Sequence, residues 1–201
     1  MPIYLKHNFK QIPRGEWYTA ISNSKNPVVK GYLAENCCLS SIQEFGLRLG
    51  TKRLPGLLQA DFFNDVPDWG PFLRDTSLCR LYLPSTFNYA NIDAAILSVT
   101  RYKKKPKAML YLIQVTIAKR HENSEKKFYK TQWNIWKDKL GPEWTVSSTF
   151  VWIDMVTTHA TEVQAQATQD GLVEIPAHTQ WHVNVKDVDE ELYARIGSVS
   201  Q

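Results

Sequence analysis

Residues 91–99 read NIDAAILSV and residues 108–117 read AMLYLIQVTI, with the stretch YKKKPK at positions 102–107 between them. Both runs are rich in aliphatic and β-branched side chains, which is typical of buried strands. The short lysine-rich stretch with its proline predicts a hairpin tip that makes the two strands antiparallel neighbours. The second run is almost continuously apolar, so we expect a central strand buried on both faces of a sheet.

Polar side chains interrupt both predicted strands. Asp93 follows Ile92 in the first, while Gln114 and Thr116 lie in the second and share one face because side chains alternate along a strand. A carboxylate in an apolar strand costs free energy unless it is paired or binds a metal, and a buried amide carries a smaller cost. Two such interruptions on neighbouring strands predict a shared site. The alternative is that Asp93 caps a turn and Gln114 bonds a neighbouring backbone group.

The remaining sequence predicts an α/β fold in which helices flank a mixed central sheet. We treat residues 1–201 as a single domain, with a core at about 27–196 and an irregular segment up to Lys25. Asn26-Pro27 predicts the start of a long helix that ends near Gly50. The other predicted elements are a short helix and loop within 54–69, strands at 80–84, 149–155 and 180–185, a polar connection from 157, and helices at 124–140 and 187–196.

Composition limits the class of protein. An apolar content of 43% and a charged content of 22% are typical of globular domains. Three cysteines, two of them adjacent, form a poor disulfide framework and favour a reducing, intracellular compartment. No apolar run approaches the roughly 20 residues of a membrane span, the N-terminus lacks the core of a signal peptide, and no phosphate-binding loop of the GxxxxGK[ST] type is present.

Charge is distributed unevenly along the chain. Residues 1–160 hold 22 Lys and Arg against 13 Asp and Glu, whereas residues 161–201 hold 2 against 7. A basic body predicts an anionic partner such as nucleic acid, although a solvated surface has the same composition. KKKPK at 103–107 also matches a nuclear localisation signal. The predicted phosphate-contacting residues are Arg101, Lys103, Lys104, Lys105, Lys107, Lys119, Arg120, Lys126, Lys127 and Lys130.

The runs LYLPSTFNYANIDAAIL and LYLIQVTIAKRH carry a resemblance to a known family. They are similar to the nuclease-like domain of Crinkler and RHS-type effector proteins, in which a line of the form LY.P...N...D precedes a strand ending in Q-x-T, with a His five residues on. The matching positions are Leu81, Tyr82, Pro84, Asn88 or Asn91, Asp93, Gln114, Thr116 and His121. The closing segment HVNVKDVDEELYARI is also similar, so the resemblance covers about residues 27–196.

The resemblance implies a PD-(D/E)xK, restriction-endonuclease-like fold that hydrolyses DNA with Mg²⁺ or Mn²⁺. Asp93 and Gln114 would be metal ligands, with the Val115 carbonyl as a third and Glu35 as the glutamate supplied by the first helix. Oxygen ligands suit these ions, and the bound ion acidifies the attacking water. Some relatives join such a domain to a separate NTPase module.

One position departs from the implied motif. Thr116 occupies the place of the lysine, and a hydroxyl supplies no positive charge. Lys119 or Lys126 could reach back to the site, or His121 could carry the proton. Three interpretations follow: a metal-dependent nuclease, a domain of the same fold that has lost catalysis and binds nucleic acid or a host protein, and an unrelated α/β interaction module.

Overall fold

The fold is organised around a seven-stranded mixed sheet in which the apolar run near Gln114 is the middle strand. The structure is a computed structural model that describes residues 12–70, 72, 79–86, 89, 91–100, 106–117, 123–170 and 173–197. Its strands, in chain order, are β1 (Leu47–Leu49), β2 (Lys52–Leu54), β3 (Ala60–Phe63), β4 (Cys79–Pro84), β5 (Ala94–Thr100), β6 (Lys107–Thr116), β7 (Thr145–Asp154), β8 (Thr161–Ala165), β9 (Thr168–Asp170), β10 (Val173–Ile175) and β11 (His178–Asn184).

The large sheet has the order β3-β4-β5-β6-β7-β11-β8. Strands β4, β5 and β6 are antiparallel neighbours, so the predicted hairpin partnership of β5 and β6 is confirmed. Strand β7 runs parallel to β6, and β11 runs parallel to β7. The carboxyl ends of β6, β7 and β11 therefore lie at the same end of the sheet, along with the first residue of β5. The predicted α/β class with a mixed central sheet is confirmed.

Helices cover both faces of this sheet. Along β6, Tyr111, Ile113 and Val115 belong to one hydrophobic cluster, while Leu110 and Leu112 belong to the other. The helices are α1 (Arg14–Asn23), α2 (Pro27–Phe45), α3 (Ser124–Thr131), α4 (Trp133–Leu140), α5 (Val185–Val188) and α6 (Glu190–Gly197). The first cluster includes side chains of α1, α2, α5 and α6, and the second includes the aromatic side chains of α3 and α4. Strand β6 is thus buried on both faces, as its composition predicts.

Helix α2 begins where the sequence predicts. The Asn26 side chain accepts hydrogen bonds from the backbone N–H groups of Val28 at 2.9 Å and Val29 at 3.4 Å, and Pro27 occupies the first turn. The helix ends at Phe45 instead of continuing to Gly50. Gly46 takes a φ of +83°, and the apolar side chains that follow belong to the hairpin of β1 and β2.

Three other predictions differ from the structure. The segment up to Lys25 is not irregular throughout, because α1 occupies Arg14–Asn23 and buries Trp17 and Ile21. The short helix expected within 54–69 is wrong, and β3 joins the edge of the sheet there. The polar connection after Thr157 contains β8, β9 and β10. Strands β3 and β8 pair with β4 and β11, which lie further along the chain, whereas β9 and β10 pair with each other as a local hairpin.

None of the helices in the described part of the chain combines the length and apolar character needed to cross a membrane.

Gly31, within α2, and Gly46, directly after it, provide a stability prediction. A Cβ atom on Gly46 would overlap the carbonyl oxygen of Leu54 in a left-handed backbone conformation, whereas a Cβ atom on Gly31 meets nothing within 4 Å. We expect Gly46→Ala to lower the free energy of unfolding by at least about 2 kcal/mol. Gly31→Ala should raise it by about 0.5–1 kcal/mol, since glycine is a poor helix former. Urea unfolding followed by circular dichroism measures both, and equal effects would contradict the argument.

Candidate functional site

Asp93 and Gln114 meet at the edge of the sheet where β5 begins and β6 ends. Asp93 Oδ2 accepts a hydrogen bond from Gln114 Nε2 at 2.7 Å and a second from the Val115 backbone N–H, also at 2.7 Å. The Asp93 N–H donates to the Ile113 carbonyl at 2.8 Å, which extends the ladder of β5 and β6 by one residue. The two polar interruptions seen in the sequence therefore belong to one site.

A strained residue precedes this site. Asn91 has a φ of +64°, a conformation that asparagine tolerates better than most residues. The Ile92 N–H donates to the Tyr89 carbonyl at 3.0 Å, and Ile92 itself is buried. The turn ends by aiming the Asp93 carboxylate across the start of β5 toward β6. Backbone strain next to a polar cluster is a feature of functional sites.

The amide oxygen of Gln114 is buried and has no hydrogen-bond partner among the residues that the structure describes. An unsatisfied buried acceptor costs about 1–3 kcal/mol, so its retention calls for a reason. Half a turn of the amide would exchange its nitrogen and oxygen and direct the oxygen at Asp93. Two oxygens at right angles around Mg²⁺, each about 2.1 Å from the ion, lie about 3 Å apart. The distance between Gln114 Nε2 and Asp93 Oδ2 is 2.7 Å, which is close to that value. With the amide turned in this way, the two side chains would offer one oxygen each to a divalent cation.

Glu35 lies on the helix that covers this end of the sheet. It is half-buried in the middle of α2, one turn before the fully buried Cys38. Burial raises the pKa of the Cys38 thiol, and electrostatic interactions with Cys37, Asp189, Asp93 and Glu35 raise it further. Asp93 and Glu35 thus both lie close enough to Cys38 to act on it. Asp93 precedes β5, whereas Glu35 belongs to α2.

Thr116 ends β6 beside an acidic residue that the sequence interpretation did not single out. Its register partner on β7 is Asp154. Asp154 Oδ1 accepts from the backbone N–H groups of Val156 at 2.8 Å and Thr157 at 2.6 Å, so this carboxylate shapes the turn after β7. Ligands in open α/β sheets bind beyond the carboxyl ends of the strands, which is where Thr116 and Asp154 lie.

Comparison of the chain with protein-family models, with curated proteins and with solved structures gives no match. Within the described residues, no group of three or more His, Cys, Asp or Glu is arranged to hold a metal ion. The candidate centre has two carboxylates, Asp93 and Glu35, so amide and carbonyl oxygens would complete its ligand set.

The basic residues predicted to contact phosphate are spread over the molecule. Lys107 is exposed at the opposite end of β6 from Gln114, seven positions away and hence about 23 Å along the strand. On α3, Lys127 is exposed, whereas Lys126 and Lys130 both bind the Asp170 carboxylate, at 2.6 and 2.5 Å. These two lysines lower the pKa of Asp170. The predicted positions outside the described residues are Arg101, Lys103, Lys104, Lys105, Lys119, Arg120 and His121.

A second polar cluster, which the sequence interpretation missed, lies on the α3 side of the sheet. Glu125 Oε1 accepts from His178 Nε2 at 2.7 Å and from Gln180 Nε2 at 2.8 Å, and Glu125 Oε2 accepts from Trp152 Nε1 at 3.4 Å. The other ring nitrogen, His178 Nδ1, lies 2.8 Å from the Pro176 carbonyl. The cluster ties α3 to β7 and β11, and Trp152 is the register partner of Gln114. No local sequence signal joins residues so far apart in the chain.

Proposed function

We propose that this chain is a divalent-metal-dependent nuclease domain that hydrolyses phosphodiester bonds in DNA, with a restriction-endonuclease-like fold similar to that of Crinkler and RHS-type effectors. The observation that carries the proposal is the contact between Asp93 and Gln114, together with the buried Gln114 amide oxygen, which has no partner in the described part of the chain. A centre that holds a cation explains why both groups are kept in an otherwise apolar pair of strands.

The ligands in this proposal are oxygen atoms. Asp93, Gln114 Oε1, the Val115 carbonyl and Glu35 would hold Mg²⁺ or Mn²⁺, both of which prefer such donors. The bound ion would neutralise phosphate charge and lower the pKa of a water molecule. The turn at Asn91 fixes the direction of Asp93, which is therefore the preorganised ligand of the set, and half a turn of the Gln114 amide would bring its oxygen to the same ion.

The proton carrier in this scheme comes from the segment after β6. Thr116 supplies no positive charge, so Lys119, Lys126 or His121 would support the attacking water. Asp170 holds Lys126 at 2.6 Å, which directs that ammonium group toward the hairpin of β9 and β10. Lys119 and His121 are therefore the favoured candidates. The basic stretch that includes KKKPK would contact DNA phosphates and direct the protein to the nucleus.

The direct test is cleavage of supercoiled plasmid DNA. We expect the purified chain to nick or linearise the plasmid when Mg²⁺ or Mn²⁺ is supplied, and EDTA to abolish this activity. Cleavage should weaken as salt rises, because counterions compete for the phosphate contacts. Cleavage that persists in EDTA would contradict the proposal, as would its absence with every divalent ion tried.

Gln114→Glu gives a prediction specific to the metal. A glutamate here faces the Asp93 carboxylate at the distance of a hydrogen bond, so without metal we expect the melting temperature to fall by several degrees. Millimolar Mg²⁺ or Mn²⁺ should restore it, since the added charge strengthens cation binding. Thermal denaturation with and without the ion measures this effect. Gln164→Glu, on the exposed strand β8, is the matched control and should show no metal dependence.

A catalytically degenerate domain of the same fold is the second candidate. The observation that favours it is that Asp93 Oδ2 accepts hydrogen bonds from two groups of the chain itself, Gln114 Nε2 and the Val115 N–H. Thr116 in place of the motif's lysine also favours a loss of catalysis, because a hydroxyl supplies no positive charge. Such a domain would bind nucleic acid or a host protein and cleave nothing. The first two candidates require the contact between Asp93 and Gln114, whereas in an unrelated α/β module the same hydrogen bond would serve only to satisfy two polar side chains.

A further inference from the structure

Two arginines face each other across the small hairpin of β1 and β2. Arg48 is the register partner of Arg53, and both side chains are exposed on the same face of the hairpin. Like charges directly opposite each other on antiparallel strands are destabilising. An anion bound between the two guanidinium groups would convert that repulsion into two charge-assisted contacts.

Neither arginine has a carboxylate partner in the part of the chain that the structure describes. The contact recorded for the pair is a hydrogen bond from Arg48 Nε to the Gly50 carbonyl at 3.2 Å. Other arginines are neutralised: Arg14 by Glu44 at 3.1 Å, Arg80 by Asp61 at 2.7 Å and Arg195 by Glu191 at 2.9 Å. Among the described residues, the hairpin pair is therefore the one place where two guanidinium groups lie opposite each other without an ion-pair partner.

The two arginines line a cleft of about 430 Å³, a volume suited to a small ligand or a short stretch of a polymer. Asp187 is the single acidic residue in the lining, so the two guanidinium groups leave it with a net positive charge. Thr51, at the turn of the hairpin, adds a hydroxyl. The apolar part of the lining consists of Phe45, Leu47 and Val188.

The hairpin is firmly positioned. Gly50 has a φ of +58° at the first position of a two-residue turn, which is the glycine position of a type II′ hairpin. A Cβ atom there would lie 2.7 Å from the Trp181 ring, so the turn packs directly on β11. On the opposite face of the hairpin, Lys52 Nζ lies 4.8 Å from the centre of the Tyr111 ring. Arg48 and Arg53 therefore project from a rigid support.

We propose that this cleft binds a phosphate group, held between the guanidinium groups of Arg48 and Arg53 with the Thr51 hydroxyl as a further donor. The site is separate from the Asp93 centre, because none of its lining residues belongs to that centre, and it needs no metal. The phosphate comes either from a small phosphorylated molecule or from the backbone of a nucleic acid.

The test is a binding titration in low salt and without divalent metal, using pyrophosphate in one arm and a short DNA duplex in the other. Arg48→Gln and Arg53→Gln should each weaken binding about tenfold or more. Lys52→Gln is the matched control: it removes the same charge from the same hairpin but from the other face, and it should change affinity less than about twofold. Asp187→Asn should tighten binding, because it removes the opposing charge.

Pyrophosphate binding that depends on both arginines supports a small phosphorylated ligand, and arginine-dependent binding of DNA alone supports a backbone phosphate. Absence of saturable binding in both arms overturns the proposal, and so does an equal loss for Lys52→Gln. The melting temperatures of the arginine variants should equal or exceed that of the unaltered protein, since repulsion is relieved. A marked fall in both would show a structural role and also overturn the proposal. All arms omit metal, so a failure of the nuclease proposal leaves these results unaffected.

Discussion

Replacing Asp93 with alanine is expected to lower divalent-metal-dependent plasmid cleavage by a factor of about 10³ or more. The substitution removes the principal oxygen ligand of the proposed ion, and the charge stabilisation that such an ion provides is worth several kcal/mol. It also removes the acceptor for Gln114 Nε2 and the Val115 N–H, both 2.7 Å from Asp93 Oδ2. Initial rates of nicking, measured over a range of Mn²⁺ concentrations, give the size of the effect.

Two further variants separate chemistry from folding. Asp93→Asn keeps an oxygen acceptor and the shape of the side chain, so we expect a melting temperature close to that of the unaltered protein and a cleavage rate at least about 10² lower. Asp138→Ala removes an exposed aspartate on α4 and should leave the rate unchanged. Full cleavage by both Asp93 variants would rule out Asp93 as a metal ligand, and the degenerate-domain candidate would then be preferred for any binding that remains.

Asp189→Ala is expected to cause the largest loss of stability among the substitutions considered, about 3 kcal/mol or more. Asp189 is 6% exposed. Its carboxylate accepts hydrogen bonds from the Tyr18 hydroxyl at 2.8 and 3.0 Å, from Ser41 Oγ at 2.5 Å and from the Leu192 N–H at 2.9 Å. Alanine would leave three buried donors without an acceptor, and each unsatisfied group costs about 1–3 kcal/mol. Helices α1, α2 and α6 would lose their common partner.

For a domain of this size, that loss corresponds to a fall in melting temperature of about 6–12 °C. Asp187→Ala, two positions away on the surface, is the control and should change the melting temperature little. A local readout is also available. Burial, and after it the charge of Asp189, raises the pKa of Cys37 to about 12. Asp189→Ala should therefore lower that pKa and let Cys37 react with thiol reagents at a lower pH. An unchanged melting temperature would contradict the role assigned to Asp189.

The central strands and the meeting of Asp93 with Gln114 could be predicted because local patterns determine them. The apolar run of β6 is long, its polar residues stand out, and the short connection to β5 leaves one simple arrangement. Antiparallel pairing then places Asp93, just before β5, opposite Gln114 of β6. The start of α2 was equally predictable, since Asn26 and Pro27 act within one helical turn.

Other elements depend on distant residues, so the sequence did not indicate them. Apolar residues recur at helical spacing as far as Leu49, and only the φ of Gly46 and the contact of Gly50 with Trp181 reveal that a hairpin replaces the end of the helix. Arg48 and Arg53 belong to this hairpin, so the prediction of a helix up to Gly50 did not place them opposite each other. Glu125 and His178 are 53 positions apart and become a pair only through the crossover between β7 and β11.

The place of β11 between β7 and β8 changes how the acidic C-terminal segment is to be regarded. Along the sequence it resembles a charged appendage to a basic body. In three dimensions its residues supply an interior strand, the Asp170 counter-charge for two lysines of α3 and the Asp189 acceptor that joins three helices. A chain shortened at about residue 160 would therefore expose the edge of β7 that pairs with β11 and would lose its fold. The basic residues of positions 1–160 consequently cannot be studied by truncation, and charge reversal at single positions is the way to test them.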